Sequence, residues 1–236
     1  MCNFVIITKM IFYNDPTFLL LIPALLLALY AQWKVKSTFE KYSKVPCSRG
    51  YTGSQIARYI LDDYRLQNIS VESIPGELTD HYDPTKQKLS LSQGVYESNS
   101  VAAVGVAAHE TGHAIQDSKA YAPLKIRNGL VPVTNLGTTL AFPLFILGMF
   151  TGMPQLMDLG IILFSLAVVF AVVTLPVEFN ASARAIRVLA DGHFLNEKEL
   201  PMAKAVLNAA ALTYVAATAM AVLNLVRLLM LRGRRE

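Results

Sequence analysis

The sequence has little charge and little cysteine. Only 16% of its 236 residues are charged, whereas a soluble domain typically has about 25%, and 53% are hydrophobic. Disorder requires low hydrophobicity and high charge, so this composition excludes it. Two cysteines, Cys2 and Cys47, are too few for a disulfide framework, and we expect both to be reduced. The low charge and high hydrophobicity argue against an ordinary soluble globular protein.

The positive charge does not indicate nucleic acid. The net charge is +4 and the isoelectric point is about 9.0. The basic residues lie beside apolar runs and do not form a stripe with interleaved aromatic residues, as a nucleic-acid interface would require. We therefore expect no nucleic-acid partner and predict a lipid bilayer with an anionic surface instead.

Four apolar runs are long enough to form membrane spans, because a helix needs about 20 apolar residues to cross the hydrocarbon core. After an N-terminal segment, 1–16, the predicted spans are 17–33, 129–151, 159–177 and 205–231, the last followed by a basic tail to 236. The first run lacks the small-residue cleavage site of a signal peptide. The fold class predicted is an α-helical multi-span membrane protein.

Two polar blocks lie between the spans, at 34–128 and 178–204. Four spans alternate in direction, so both blocks are expected on one side of the membrane. Lysines and arginines cluster at the ends of the first block, and the positive-inside rule therefore predicts that this side is the cytoplasm. The C-terminal arginines count against this orientation.

The first polar block has the pattern of a small α+β domain. Thr52-Gly-Ser-Gln55 is a capping box that predicts a helix to about Arg65, and Asn99-Ser100 is expected to cap another helix that runs to about Gln116. Alternating residues predict short strands at 70–74, 78–81 and 88–91, with a turn at 83–86.

The second of these helices contains the motif His109-Glu110-Thr111-Gly112-His113, an HExxH sequence. The i, i+4 spacing places both imidazoles on one helical face, where they can bind one metal ion. Zinc accepts such ligands and in catalytic sites keeps a position for water. The metal lowers the pKa of that water from 15.7 to about 7, and Glu110 can take its proton during attack on a peptide carbonyl.

Two histidines leave a third ligand to be identified. Glu178 directly follows the third span, and Pro176 predicts a new helix with Glu178 in its first turn. Asp191 is the alternative, as the third ligand of an intramembrane zinc protease. That alternative requires the motif inside the bilayer, yet only a short apolar run, 101–108, precedes His109. We therefore predict that the motif lies outside the hydrocarbon.

These residues resemble the YugP-like membrane zinc metallopeptidases, a family of gluzincin type in which a distant glutamate completes the HExxH site. The resemblance extends from about Met10 to the last span. It rests on five segments: Tyr13-Asn-Asp-Pro16, Leu78-Thr-Asp-His-Tyr-Asp-Pro84, Val106-Ala-Ala-His-Glu-Thr-Gly-His-Ala-Ile-Gln116, Val177-Glu-Phe-Asn-Ala-Ser182 and Ala211-Leu-Thr-Tyr-Val215. Residues 1–9 precede it and are expected to be an upstream extension or a misassigned start.

The resemblance implies a zincin-like catalytic domain at 34–128, with zinc as cofactor. It implies His109, His113 and Glu178 as zinc ligands and Glu110 as general base. The chain departs from the gluzincin pattern at Ser182, where an acidic residue commonly orients a ligating histidine. That orienting role is left to Asn180, Ser182 or Asp191.

Three further residues are candidates for substrate or oxyanion contacts. His81 is predicted on a strand that could pair with an extended substrate. The alternative is that this histidine has a structural role. Tyr214 could donate a hydrogen bond to a developing oxyanion, or anchor its span at the membrane interface. Arg184 could serve the same electrostatic purpose, or pair with an acidic neighbour.

The sequence thus predicts a membrane zinc endopeptidase. Its expected substrates are membrane proteins or unfolded chains near the membrane. A scaffold or adaptor that keeps zinc only for structure is the alternative outside enzymes, although Glu110 argues against it. An intramembrane protease that uses Asp191 is the alternative among enzymes.

Overall fold

The computed structural model describes residues 16–233. The predicted N-terminal segment, apart from Pro16, therefore lies outside the described residues. So do Cys2, most of the Tyr13–Pro16 block and the end of the basic tail.

The described chain is mostly helical. A 3₁₀ turn, Pro16–Leu21, leads into α1, Ile22–Tyr42. The remaining elements in chain order are α2 (Gly53–Asp63), β1 (Ser70–Ile74), β2 (His81–Asp83), β3 (Lys88–Ser92), α3 (Gln93–Tyr96), α4 (Val101–Ser118), α5 (Ala122–Thr151), α6 (Pro154–Asp191) and α7 (Leu200–Gly233).

The chain forms two compact units. The polar unit comprises Ala31–Ile126 and Thr174–Tyr214, and thus contains most of both polar blocks of the sequence. The apolar unit comprises, within the described residues, 16–30, 127–173 and 215–233. Helices α1, α5, α6 and α7 each contribute residues to both units.

The apolar unit is made from helices whose outer faces are apolar. The four helices that begin at Pro16, Ala122, Pro154 and Leu200 are long and apolar enough to cross a membrane. Large apolar side chains such as Leu26, Leu136 and Phe150 are exposed on them. This distribution suits a lipid environment, where exposed apolar surface has no cost. The predicted fold class, α-helical with four candidate spans and a small α+β domain, is confirmed.

Close helix packing and an ion pair between Asp158 and Arg232 stabilise the apolar unit. Phe145, Met157, Ile161 and Leu228 form its buried cluster. The glycine at 160 has no room for a side chain, because a Cβ there would lie 2.6 Å from the Ala141 carbonyl oxygen. Asp158 accepts hydrogen bonds from Arg232 at 2.8 and 3.2 Å.

The polar unit contains a three-stranded sheet in the order β1-β3-β2, with β3 parallel to β1 and antiparallel to β2. Strand β3 is central, and Leu89 and Leu91 are fully buried. The strands predicted at 70–74 and 88–91, and the turn between β2 and β3, are confirmed. The capping box at Thr52 is also confirmed, with both of its reciprocal hydrogen bonds present.

The strand predicted at 78–81 is wrong, because β2 begins only at His81. Gly76 and Leu78 have φ angles of +106° and +55°, in the left-handed region that an extended strand cannot use. The Thr79 hydroxyl donates to the Pro75 carbonyl and closes the turn locally. Alternation of apolar residues did not reveal this backbone reversal.

The helix start predicted at Pro176 is also wrong, because α6 runs without interruption from Pro154 to Asp191. A proline in a helix loses one hydrogen bond. Tertiary packing outweighs that loss here. Val177, Ala181, Ala185 and Leu189 recur at four-residue spacing and are all buried, so a single helical face continues past the proline.

Candidate metal centre

Helix α4 carries the HExxH motif through the middle of the polar unit. The Ser100 side chain caps the helix by accepting a hydrogen bond from the Ala103 amide, as predicted. Most of the helix is small and apolar, and residues 101–105 are all buried. The two histidines therefore lie on a well-packed, rigid element, which fixes the direction of their side chains.

Helix α6 approaches α4 closely at Gly112. A Cβ at this position would lie 2.7 Å from the Ala181 carbonyl oxygen, so only glycine permits this packing. One turn before Ala181, Glu178 lies on the same helix and is 2% exposed. The close approach thus brings an acidic side chain from a distant part of the sequence next to the histidine pair.

We expect Gly112→Ala to destabilise the polar unit by about 1–3 kcal/mol, because the added methyl group must push the two helices apart. The same displacement should weaken zinc binding. Gly94→Ala is the matched control, since a Cβ there meets no atom within 4 Å. Thermal unfolding and zinc content of the two variants check this prediction, and equal values for both would contradict it.

Three donor atoms converge at this contact. The Glu178 Oε2 atom lies 3.3 Å from His109 Nε2 and 3.6 Å from His113 Nε2. The ligand atoms of the three residues all lie within 4.8 Å of one another. The side chains are only 12%, 11% and 3% exposed for His109, His113 and Glu178, respectively. This group could hold a metal ion.

The donor set fits zinc in chemistry and in spacing. Two imidazoles and one carboxylate are a known ligand set of catalytic zinc. With bonds of about 2.0–2.2 Å and tetrahedral angles, such ligand atoms lie about 3.3–3.6 Å apart. The observed separations match this value and exceed the usual 2.7–2.9 Å of a charge-assisted hydrogen bond. Sharing one ion explains the spacing better than direct pairing does.

The Glu178 carboxylate supplies a second observation that fits a cation site. Its Oε2 atom is buried and has no hydrogen-bond partner among the described residues. A buried acceptor left unpaired costs about 1–3 kcal/mol, and more when it is charged. A cation between Glu178 and the histidines would remove that cost.

The charges of the site affect the pKa of His113. Burial opposes its protonation, but the nearby Glu178 and Glu110 carboxylates outweigh burial and raise the pKa of this imidazole. A histidine must be neutral to bind a metal, so metal binding displaces this proton. Metal affinity is therefore expected to fall as the pH falls below the raised pKa.

Each histidine has a second contact through its Nδ1 atom. His109 Nδ1 lies 3.1 Å from the Ser182 hydroxyl, and His113 Nδ1 lies 3.0 Å from Gln116 Oε1. Of the three residues considered for an orienting role, Ser182 contacts a histidine directly and Asn180 hydrogen-bonds to Gln116. Sequence reasoning missed Gln116, although its i, i+3 spacing from His113 places it on the same helical face.

Asp191 lies elsewhere in the polar unit. It is exposed and lines a cavity of about 400 Å³ together with Tyr59, Tyr64 and Phe194. Among the described residues, the group that could hold a metal ion consists of His109, His113 and Glu178 and does not include Asp191.

The other candidate residues have distinct surroundings. His81 is exposed at the start of edge strand β2, with Nδ1 at 2.8 Å from the Thr79 carbonyl oxygen. Arg184 Nε donates to Asn180 Oδ1 at 2.7 Å. Tyr214 is half-buried on α7 within the polar unit. The roles proposed for these three side chains stay predictions.

Tyr82 connects the sheet to the helix that carries the motif. Its hydroxyl donates to Asp117 Oδ2 at 3.0 Å. Burial and the adjacent Asp117 carboxylate raise the pKa of Tyr82, so the phenol stays protonated and keeps this hydrogen bond at any physiological pH.

Apolar helices and a buried His-His-Glu group, in which an HExxH helix supplies both histidines and a second helix the glutamate, define the class: a membrane protein with a zinc-peptidase type of metal centre. Comparison with known families agrees. The family described as "Putative neutral zinc metallopeptidase" matches residues 17–233, and the chain belongs to this family. Its activity class, zinc metallopeptidase, and its cofactor, zinc, agree with those predicted from the motif.

A relative with a similar sequence supports the same conclusion. The chain is 49% identical over 219 residues to a protein of Bacillus subtilis (strain 168) named "Putative membrane protease YugP". The match covers 92% of this chain and 97% of the relative. No solved structure matches the chain. The resemblance to the YugP-like family inferred from the sequence is thereby confirmed.

Proposed function

We propose that the chain is a zinc endopeptidase that hydrolyses peptide bonds, with His109, His113 and Glu178 as zinc ligands. The observation that carries the ligand assignment is the position of Glu178 Oε2, which is buried, without a hydrogen-bond partner in the described chain, and 3.3 and 3.6 Å from the two imidazole Nε2 atoms. Three protein ligands leave a fourth position for water, as catalytic sites do.

Glu110 is proposed as the general base. Zinc, when bound, supplies Lewis-acid chemistry: it polarises the scissile carbonyl and makes a water molecule acidic. Glu110 follows His109 directly and is rotated about 100° from it around the helix. It is not part of the ligand group, and its charge acts on His113, which supports a position beside the metal site. It takes the proton of the attacking water and passes it to the nitrogen of the breaking C–N bond.

The substrate contacts are proposed from the position of each candidate. Strand β2 lies at an edge of the sheet, which supports the pairing of an extended peptide beside His81. Tyr214 and Arg184 are proposed to stabilise the developing oxyanion as hydrogen-bond donors. Extended pairing requires an unfolded segment, so the proposed substrates are membrane proteins or unfolded chains near the bilayer.

The chain is further proposed to cross the membrane four times, with the polar unit in the cytoplasm. The presence of both polar blocks in one compact unit supports their location on a single side. The lysines near the ends of the first block support the cytoplasmic side. The test labels a cysteine introduced at exposed Ser73 with a membrane-impermeant reagent, in a chain whose Cys2 and Cys47 are replaced by serine. Labelling in intact cells would contradict this proposal.

Removal and return of the metal tests the proposed activity. The detergent-purified chain is expected to cleave an unfolded model protein, to lose that activity on treatment with a zinc chelator, and to recover it when zinc is added back. Control reactions contain chelator already saturated with zinc, which should leave cleavage unchanged. Cleavage that survives complete removal of zinc would contradict the proposal.

A further inference from the structure

A chain of buried hydrogen bonds extends from His113 away from the metal centre. Gln116 accepts from His113 at 3.0 Å and donates through Nε2 to the Val177 carbonyl at 2.8 Å and to Asn180 Oδ1 at 3.0 Å. Asn180 Oδ1 also accepts from Arg184 Nε at 2.7 Å. Gln116 is completely buried, so each of these contacts replaces a hydrogen bond to water.

The two ends of this series of hydrogen bonds fix the donor and the acceptor of every hydrogen bond in it. A backbone carbonyl only accepts, so the Gln116 atom that faces Val177 must be the amide nitrogen. A guanidinium only donates, so the Asn180 atom that faces Arg184 must be the oxygen. The remaining Gln116 atom, its oxygen, faces His113. Only one arrangement of protons satisfies all the contacts, and in it His113 carries its proton on Nδ1.

We propose that Gln116, oriented by Val177, Asn180 and Arg184, is a positioning residue that holds His113 with its proton on Nδ1 and its Nε2 lone pair directed at the metal. This inference rests on the proposed function, since it takes His113 as a zinc ligand. The residue that orients a ligating histidine fixes its tautomer and ring direction. Here that residue is a neutral amide on the same helix.

The two histidines are therefore held differently. His113 is oriented by an amide with three defined contacts, whereas His109 contacts the Ser182 hydroxyl, which is half-buried and can rotate about its C–O bond. The amide contact is the stronger constraint on geometry. Loss of the Gln116 amide is therefore expected to lower metal affinity more than loss of an equally buried polar group that contacts no metal ligand.

The test compares two substitutions of Gln116 with a structural control. Gln116→Met has nearly the same length and removes the amide. Gln116→Glu keeps an oxygen acceptor for His113 Nδ1 and, in its neutral carboxylic-acid form, an O–H donor for the Val177 carbonyl. Thr111→Val removes a buried hydroxyl of the same helix that donates to the Ala107 carbonyl at 2.7 Å. The readouts are the zinc dissociation constant by chelator competition, the absorption spectrum of the cobalt(II)-substituted chain and the melting temperature.

The expected result separates positioning from stability. Gln116→Met should weaken zinc binding by about 10–100-fold and change the cobalt spectrum. Gln116→Glu should restore the affinity to within a few-fold of wild type, whereas Thr111→Val should lower the melting temperature and leave affinity and spectrum unchanged. Wild-type affinity and spectrum in Gln116→Met, or equal losses in Gln116→Met and Thr111→Val, would overturn the inference.

These readouts do not depend on turnover. If the wild type binds zinc but cleaves nothing, the proposed hydrolysis fails while the comparison of affinities still decides the role of Gln116. If the wild type binds no zinc, the proposed ligand set itself fails and the positioning role falls with it. If zinc binds tightly and equally to the wild type and to all three variants, only the positioning role is overturned.

Discussion

Replacement of Glu110 by glutamine is expected to lower the rate of peptide-bond cleavage by about 10²–10⁴-fold, the range that general acid–base catalysis contributes. Glutamine has the same shape as glutamate but cannot take a proton from water at neutral pH. Glu110 does not belong to the His109, His113 and Glu178 group, so the variant should retain its zinc. Cleavage of an unfolded model protein and zinc content, determined on the same samples, check both parts.

The zinc content is the control that gives this result its meaning. Equal zinc in the variant and the wild type, with cleavage only by the wild type, identifies Glu110 as the general base. Equal cleavage by both would assign the base elsewhere. If both bind zinc and neither cleaves any substrate offered, the account of this chain as a general endopeptidase is contradicted and a structural role for the zinc becomes the better explanation.

Replacement of Glu178 by alanine is expected to have the largest effect on metal binding. It removes one of three protein ligands, and loss of a residue that merely orients a ligand already costs about 10–100-fold in affinity. A loss of more than about 100-fold is therefore expected. A ligand that binds only the folded chain raises its melting temperature, so added zinc should stabilise the wild type but not this variant.

Asp191→Ala is the matched control for Glu178→Ala. Asp191 is an acidic residue near the end of the same helix, and it is exposed beside a different cavity. Its removal should change neither zinc content nor the stabilisation by zinc. The reverse pattern, with zinc kept in Glu178→Ala and lost in Asp191→Ala, would support the intramembrane-protease alternative and contradict the ligand set described above.

Local sequence signals predicted those parts of the structure that depend on short-range interactions. The cap at Ser100 and the capping box at Thr52 use hydrogen bonds within one turn, and both are present. The position of the two HExxH histidines on one helical face likewise follows from the helical repeat alone. The apolar runs indicated the four long helices because their composition alone distinguishes them.

The errors arise where tertiary packing or backbone conformation decides. Pro176 is a helix-start signal in isolation, yet the buried face of α6 continues through it. Leu78 fits an alternating strand pattern, yet its positive φ angle belongs to a turn. Neither the packing of α6 nor the φ angle of Leu78 is encoded in the hydrophobic pattern of the few residues around it.

The residues that could hold a metal ion were predictable from the sequence, but their supporting contacts were not. The sequence indicates Glu178 as a candidate because this acidic residue directly follows an apolar run. The Ser182 contact with His109 depends on how closely α4 and α6 approach each other. That close approach requires a residue without a side chain at Gly112. Gln116 could have been found from its spacing to His113, whereas its contacts with Val177 and Asn180 could not.

The central claim is that two imidazoles of α4 and one carboxylate of α6 hold a zinc ion. X-ray absorption at the zinc edge of the purified wild-type chain tests it most directly. The account predicts two imidazole nitrogens together with oxygen ligands, all at about 2.0–2.2 Å, and no sulfur. A sulfur ligand at about 2.3 Å, or imidazole nitrogens in a number other than two, would contradict the account.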